Sequence, residues 1–141
     1  RLHSSLGYIT PEEFEKKIQE GAFIEHAEYS GNYYGTEHAV IERALAEHDY
    51  AFIAVDVQGK EYYDAKDIKH VSVFLVPENM ELLRKNIAKR GGMDDETLER
   101  RLEVARGEIA VADTYDKQVV NRYGELGVVV DEIQEYLSSI V

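Results

Sequence analysis

The 141-residue chain is 44% hydrophobic and carries 16 basic against 28 acidic residues, a net charge of −12. That length and apolar content suit one compact domain spanning 1–141, and the acidic balance opposes broad adhesion to nucleic acid or to an anionic membrane surface. The absence of cysteine excludes disulfides, thiolate catalysis and cysteine metal sites, and fits a reducing, cytoplasmic setting. Apolar runs such as 50–55 and 71–77 fall far short of the roughly 20 residues that cross a bilayer, and the five histidines show neither HxH nor HExxH spacing, so no metal site is expected from them.

In chain order, Thr10-Pro11-Glu12-Glu13 supplies an N-cap, a proline at the first helical position and a glutamate placed to close a capping box, which predicts a helix over 11–20. Gly21 ends it. The stretch 22–30 followed by Asn32-Tyr33-Tyr34 reads as two short strands turning at Ser30-Gly31. Thr36 then offers an N-cap, and Ala39, Val40, Ala44 and Leu45 recur at helical spacing, predicting a helix over 37–47.

The runs 50–55 and 70–76 are continuous, apolar and rich in β-branched or aromatic residues, as expected of parallel strands buried on both faces. Helical patterns follow at 58–64, 78–89 and 94–113, then a short strand at 117–121 and a last helix near 128–139. The alternation of strands and helices predicts an α/β layered fold.

Three stretches carry chemistry. The run from Phe23 to Thr36 sets Glu25, two adjacent tyrosines and the Thr36 hydroxyl between glycines, whose missing Cβ permits tight turns and close approaches; these are groups able to grip a purine and a phosphate, although Glu25 taken alone is equally an ordinary strand carboxylate. Asp56 ends the apolar run 50–55, where ligands gather in open α/β sheets, and is equally an aspartate opening a turn before Gly59. The segment Lys85 to Asp95, with Arg100-Arg101 beyond it, concentrates positive charge around Gly91-Gly92. Arginine suits a phosphate-gripping lid because its planar fork donates paired hydrogen bonds; the alternative is a solvated helix hairpin whose arginines pair with Glu96, Glu99 or Glu103.

Taken together, these pieces resemble the guanylate kinases, a family of nucleoside monophosphate kinases. The matching motifs, in order, are Glu12-Glu13-Phe14, Phe23-Ile24-Glu25 through Gly31-Asn32-Tyr33-Tyr34-Gly35-Thr36, Val55-Asp56-Val57-Gln58-Gly59, Val76-Pro77, Lys89-Arg90-Gly91 with Arg100-Arg101-Leu102, and Val119-Val120-Asn121. The resemblance implies a parallel-sheet, P-loop-kinase-like core with a small β GMP-binding subdomain at about 7–36 and a helical lid at about 82–103. It implies transfer of a phosphoryl group from ATP, with Mg²⁺, to GMP. By the same resemblance Glu25 accepts hydrogen bonds from guanine, Thr36 lies near the guanine carbonyl oxygen, Tyr34 binds the monophosphate, and Asp56 lies close to guanine and metal. Arg90 and Arg101 bridge the phosphates as catalytic residues, and Asn121 lies beside the adenine of ATP.

The sequence also departs from the family pattern. No G-x-x-x-x-G-K-[ST] phosphate-binding loop is present, Ala54 stands where the first of two central acids is usual, and Arg122-Tyr123 replace acidic residues after Asn121. Leu6, within Arg1 to Gly7, falls where a phosphate-binding tyrosine is expected. The 141 residues alone are therefore expected to be inactive, with a P-loop segment preceding Arg1 if the parent protein is an enzyme. The alternative is a non-catalytic guanylate-kinase-like module that binds a protein or phosphopeptide partner.

Overall fold

The computed structural model describes residues 9–29 and 31–140. It forms two compact units, Arg1–His70 and Val71–Val141.

In the first unit, helix α1 (Pro11–Gln19) begins on the expected capping box, with Glu13 N–H donating to Thr10 Oγ1 at 3.2 Å and Thr10 N–H to Glu13 Oε2 at 2.7 Å. Strands β1 (Phe23–Tyr29) and β2 (Asn32–Glu37) pair as an antiparallel hairpin. Gly31 takes φ +74° at its turn, a conformation a side chain would oppose; Ser30 lies outside the described residues. The register shifts between Phe23 and Glu25, so Ile24 is an extra residue on β1. Strict alternation would send Ile24 to the face opposite Phe23 and Glu25, whereas with the bulge all three consecutive residues are buried. Phe14 and Phe23 stack with ring centroids 4.6 Å apart, and Ile9 and Ile18 close around them.

Helix α2 (His38–Glu47) follows β2, starting on Glu37 where Thr36 was expected as the cap, and buries none of its residues. Helix α3 (Val57–Ala65) packs on β1. Between them the sequence-based expectation fails: 50–55 joins no sheet among the described residues, and Phe52 is 77% exposed. Strand preference is expressed through cross-strand neighbours, and no strand of this unit pairs with the run.

The second unit holds a parallel pair, β3 (Val73–Pro77) and β4 (Lys117–Asn121), in register Val73↔Lys117 to Pro77↔Asn121. β3 begins later than predicted: the Asp116 carboxylate accepts from the backbone N–H and hydroxyl of Ser72, at 2.8 and 2.9 Å, and holds the chain just before the ladder. Neither face is sealed, since Leu75 and Val120 are exposed. Helix α4 (Met80–Lys89) starts where the Asn79 side chain accepts from Leu82 N–H. α5 (Asp95–Ala110) ends in a 3-10 turn at Ala112–Thr114, and α6 (Leu126–Ser139) packs on β4. Leu102, Val119 and Val129 are buried at 4% exposure or less, as the core of this unit requires. No helix among the described residues is long and apolar enough to cross a membrane.

Candidate functional site

The hairpin register brings the predicted residues of β1 and β2 together. Glu25 lies opposite Thr36 and Ala27 opposite Tyr34, and residues two apart on a strand share a face, so Glu25, Thr36 and Tyr34 occupy one side of the hairpin. Glu25 is 8% exposed. The Thr36 hydroxyl donates a hydrogen bond to its Oε1, and no other hydrogen-bond partner of this carboxylate is found among the described residues. The Tyr34 ring is 37% exposed. Gly35 serves by close approach: a Cβ there would stand 2.8 Å from the Phe23 ring.

A second buried carboxylate, Glu37, is structural. Lys17 of α1 reaches its Oε1 at 2.8 Å.

Tyr63 was missed by sequence reasoning. It is 6% exposed on α3, with its hydroxyl buried. Burial pushes this phenol above its ordinary value; hydrogen bonding with Thr36 opposes the rise and the Glu25 charge adds to it. The sequence offered no signal for this, because Tyr62-Tyr63 reads as part of an ordinary amphipathic helix until the hairpin folds against it.

Asp56 is the N-cap of α3, its Oδ1 accepting from Gly59 N–H at 2.7 Å. The aspartate thus has a structural role as a helix cap, where a turn was the alternative expected, and the residue is exposed. Gly59 is required by packing, since a Cβ there would come within 2.7 Å of Val55 Cβ. Lys66, at the C-cap, donates to the carbonyl oxygens of Phe23 and Ile24 at 3.0 and 2.5 Å, tying α3 to the bulge.

In the second unit α4 and α5 form a helix hairpin around Gly91 and Gly92, both at φ +73°, and Asp94 caps α5 through Thr97 N–H at 2.7 Å. Arg90 is exposed at the end of α4, and Arg101 is half-buried on α5. Arg84 pairs with Glu99 across the hairpin, and Arg106 with Glu103 along α5. Both of these arginines flank the stretch singled out in the sequence; within it Arg100 reaches the Thr97 hydroxyl at 3.5 Å. Asn121 is exposed at the carboxyl end of β4. The N-terminal stretch Arg1 to Gly7, including Leu6, lies outside the described residues.

A parallel β-pair with flanking helices makes this an α/β protein of P-loop-kinase-like type. The guanylate kinase family model matches residues 6–140. Guanylate kinase of Clostridium perfringens (strain SM101 / Type A) is 39% identical over 114 residues, covering 81% of this chain and 53% of that protein. Guanylate kinase of Lactococcus lactis subsp. lactis is 40% identical over 119 residues, covering 84% and 58%. The crystal structure of guanylate kinase from Anaplasma phagocytophilum superposes with a TM-score of 0.71 at 28% identity, covering 94% of this chain and 63% of that one. The chain belongs to the guanylate kinase family, and it spans little more than half the length of these curated relatives. Nothing in these likenesses supports the non-catalytic alternative.

Proposed function

We propose that this protein is an ATP:GMP phosphotransferase, giving ADP and GDP, whose acceptor base is read by the β1–β2 hairpin. The carrying observation is the cross-strand Glu25–Thr36 pair: a buried carboxylate with one oxygen held by a hydroxyl and the other without a protein partner among the described residues. Such a group suits the adjacent ring N–H and exocyclic amine of guanine, a donor pair that adenine lacks. Tyr34, on the same face, is assigned to the monophosphate.

Phosphoryl transfer is governed by positioning and electrostatic stabilisation and needs no nucleophilic side chain. Arg90 and Arg101 are the groups assigned to offset charge on the phosphates, and Asn121 is assigned to the adenine of ATP. Mg²⁺ is characteristically held by substrate phosphates and one or two carboxylates; Asp56 would be such a carboxylate, and the ion would neutralise phosphate charge. The donor-phosphate grip of a G-x-x-x-x-G-K-[ST] loop is not among these 141 residues, so transfer by them alone is not expected.

In this reading 1–141 work as parts of one cytoplasmic kinase domain, about 7–36 reading the acceptor and about 82–103 acting as lid. Calorimetric titration with GMP and AMP, on the wild type and Glu25→Gln, tests it. GMP should bind in preference, and the variant should lose about tenfold or more, the range for a hydrogen bond to a charged group. Equal binding of the two nucleotides, or an unaffected variant, overturns it.

A further inference from the structure

Glu25 reaches its place through the irregularity in β1. The ladder pairs Phe23 with Glu37 and then Glu25 with Thr36, and Ile24 is the extra residue between them. Continued regularly from the Phe23–Glu37 pair, the strand would set Ile24 opposite Thr36 and Glu25 opposite Gly35, on the face of the hairpin away from the Thr36 side chain. The bulge therefore aims the carboxylate at the Thr36 hydroxyl that it meets, and re-aiming a side chain is what bulges do beside functional sites.

One side chain grips this bulge from outside the hairpin. The Lys66 ammonium donates to the carbonyl oxygens of Phe23 at 3.0 Å and Ile24 at 2.5 Å, the two residues immediately before Glu25. Successive carbonyls of a regular strand point in opposite directions, so a single ammonium group meeting both fits the kinked backbone and not a straight one. The chain beyond Lys66 is fixed by an unusual turn. Asp67 takes φ +53°, the one positive φ of a non-glycine residue among the described residues, in a place that helix ends normally give to glycine. Ile68 N–H donates to the Tyr63 carbonyl at 3.4 Å, and the His70 ring nitrogens lie 2.5 Å from the Ile68 oxygen and 2.9 Å from Asp64 Oδ1, closing the turn. Strain of this kind persists only where the surroundings hold it.

We propose that Lys66 is a positioning residue for base recognition: by holding the Phe23 and Ile24 carbonyl oxygens it keeps the bulge that sets Glu25 against Thr36. The assignment rests on the GMP reading above and names the residue outside the hairpin on which the selectivity of that site depends. Lys66 touches neither base nor phosphate; it acts through Glu25.

Calorimetric titration with GMP and AMP compares the wild type, Lys66→Met, Glu25→Gln and the double variant, with urea denaturation establishing that each is folded. Lys66→Met should weaken GMP about three- to tenfold, the size of coupling within one hydrogen-bonded network, and change AMP by less than about twofold. In the Glu25→Gln background the same substitution should weaken GMP by less than about twofold, because the carboxylate through which Lys66 acts is gone. Equal losses for the two nucleotides, or the same loss with and without Glu25, would show that Lys66 supports the whole unit and would overturn the proposal. Unchanged GMP binding by Lys66→Met also overturns it and leaves the GMP reading standing. A wild type that does not prefer GMP, or an unaffected Glu25→Gln variant, overturns the GMP reading and this proposal with it. Should Lys66→Met not fold, Lys66→Gln, which keeps a shorter neutral donor, is judged by the same outcomes.

Discussion

Thr36 donates its hydroxyl proton to Glu25 directly across the β1–β2 ladder, and the acceptor is a carboxylate that is 8% exposed. The bond does two things at once. It compensates a charge drawn partly out of water, and it fixes which carboxylate oxygen remains available.

Thr36→Val keeps the shape of the side chain and removes the donor. Hydrogen bonds to charged groups contribute about 1.5–3 kcal/mol, and here the loss also leaves a buried carboxylate without its partner. Urea denaturation should show a destabilisation of that size, with the denaturant slope unchanged. A variant as stable as the wild type would mean that water replaces the hydroxyl without loss.

Gly35→Ala probes the reason for the second glycine of the hairpin. The backbone of Gly35 has no positive φ, so a residue with a side chain could adopt it; the obstacle is the Phe23 ring, 2.8 Å from an added Cβ at both Cδ1 and Cε1. Phe23 is 3% exposed and stacked on Phe14, so it has little room to yield. Overpacking of this kind costs about 1–3 kcal/mol, and the thermal midpoint should fall accordingly.

Much of this architecture was legible because its signals are local. The capping box at Thr10 and Glu13, the helix predicted over 58–64 and found over 57–65, and the hairpin turn at Gly31 each follow from side chains within a few residues of one another. What escaped depends on partners distant in sequence. The run 50–55 has every mark of a strand, yet a strand exists only where another edge meets it. Tyr63 declares itself only after α3 has packed on a hairpin more than twenty residues earlier in the chain. At the candidate site Glu25, Tyr34 and Thr36 stood out in the sequence by residue type and by the family resemblance, and only the observed register shows that they share one face. Asp56 was ambiguous in the sequence because capping a helix and meeting a ligand call for the same side chain.

Lys66→Met tests the tie between α3 and the bulge. The ammonium group bonds the carbonyl oxygens of Phe23 and Ile24 and stands at the C-terminal end of α3, where a cation also complements the helix dipole. Methionine keeps most of the stem and removes the charge. A loss of about 1–2 kcal/mol is expected, with hydrogen exchange quickening in β1. Unchanged exchange there would show that the bulge is held by packing alone.

Alkaline stability follows from the buried phenol. An unfolded tyrosine loses its proton near pH 10, whereas burial and the Glu25 charge hold the folded Tyr63 above that value, with Thr36 opposing. Between the two values the folded state binds more protons than the unfolded state, so stability falls as pH rises. The contribution is fully present below about pH 10 and is lost as pH climbs through the folded value. The other tyrosines are common to wild type and variant, so comparison with Tyr63→Phe isolates this one. The difference in urea midpoint between the two proteins should be constant from pH 7 to 9, then shift in favour of the variant above pH 10. A difference that stays flat across the alkaline range would place the phenol in contact with solvent.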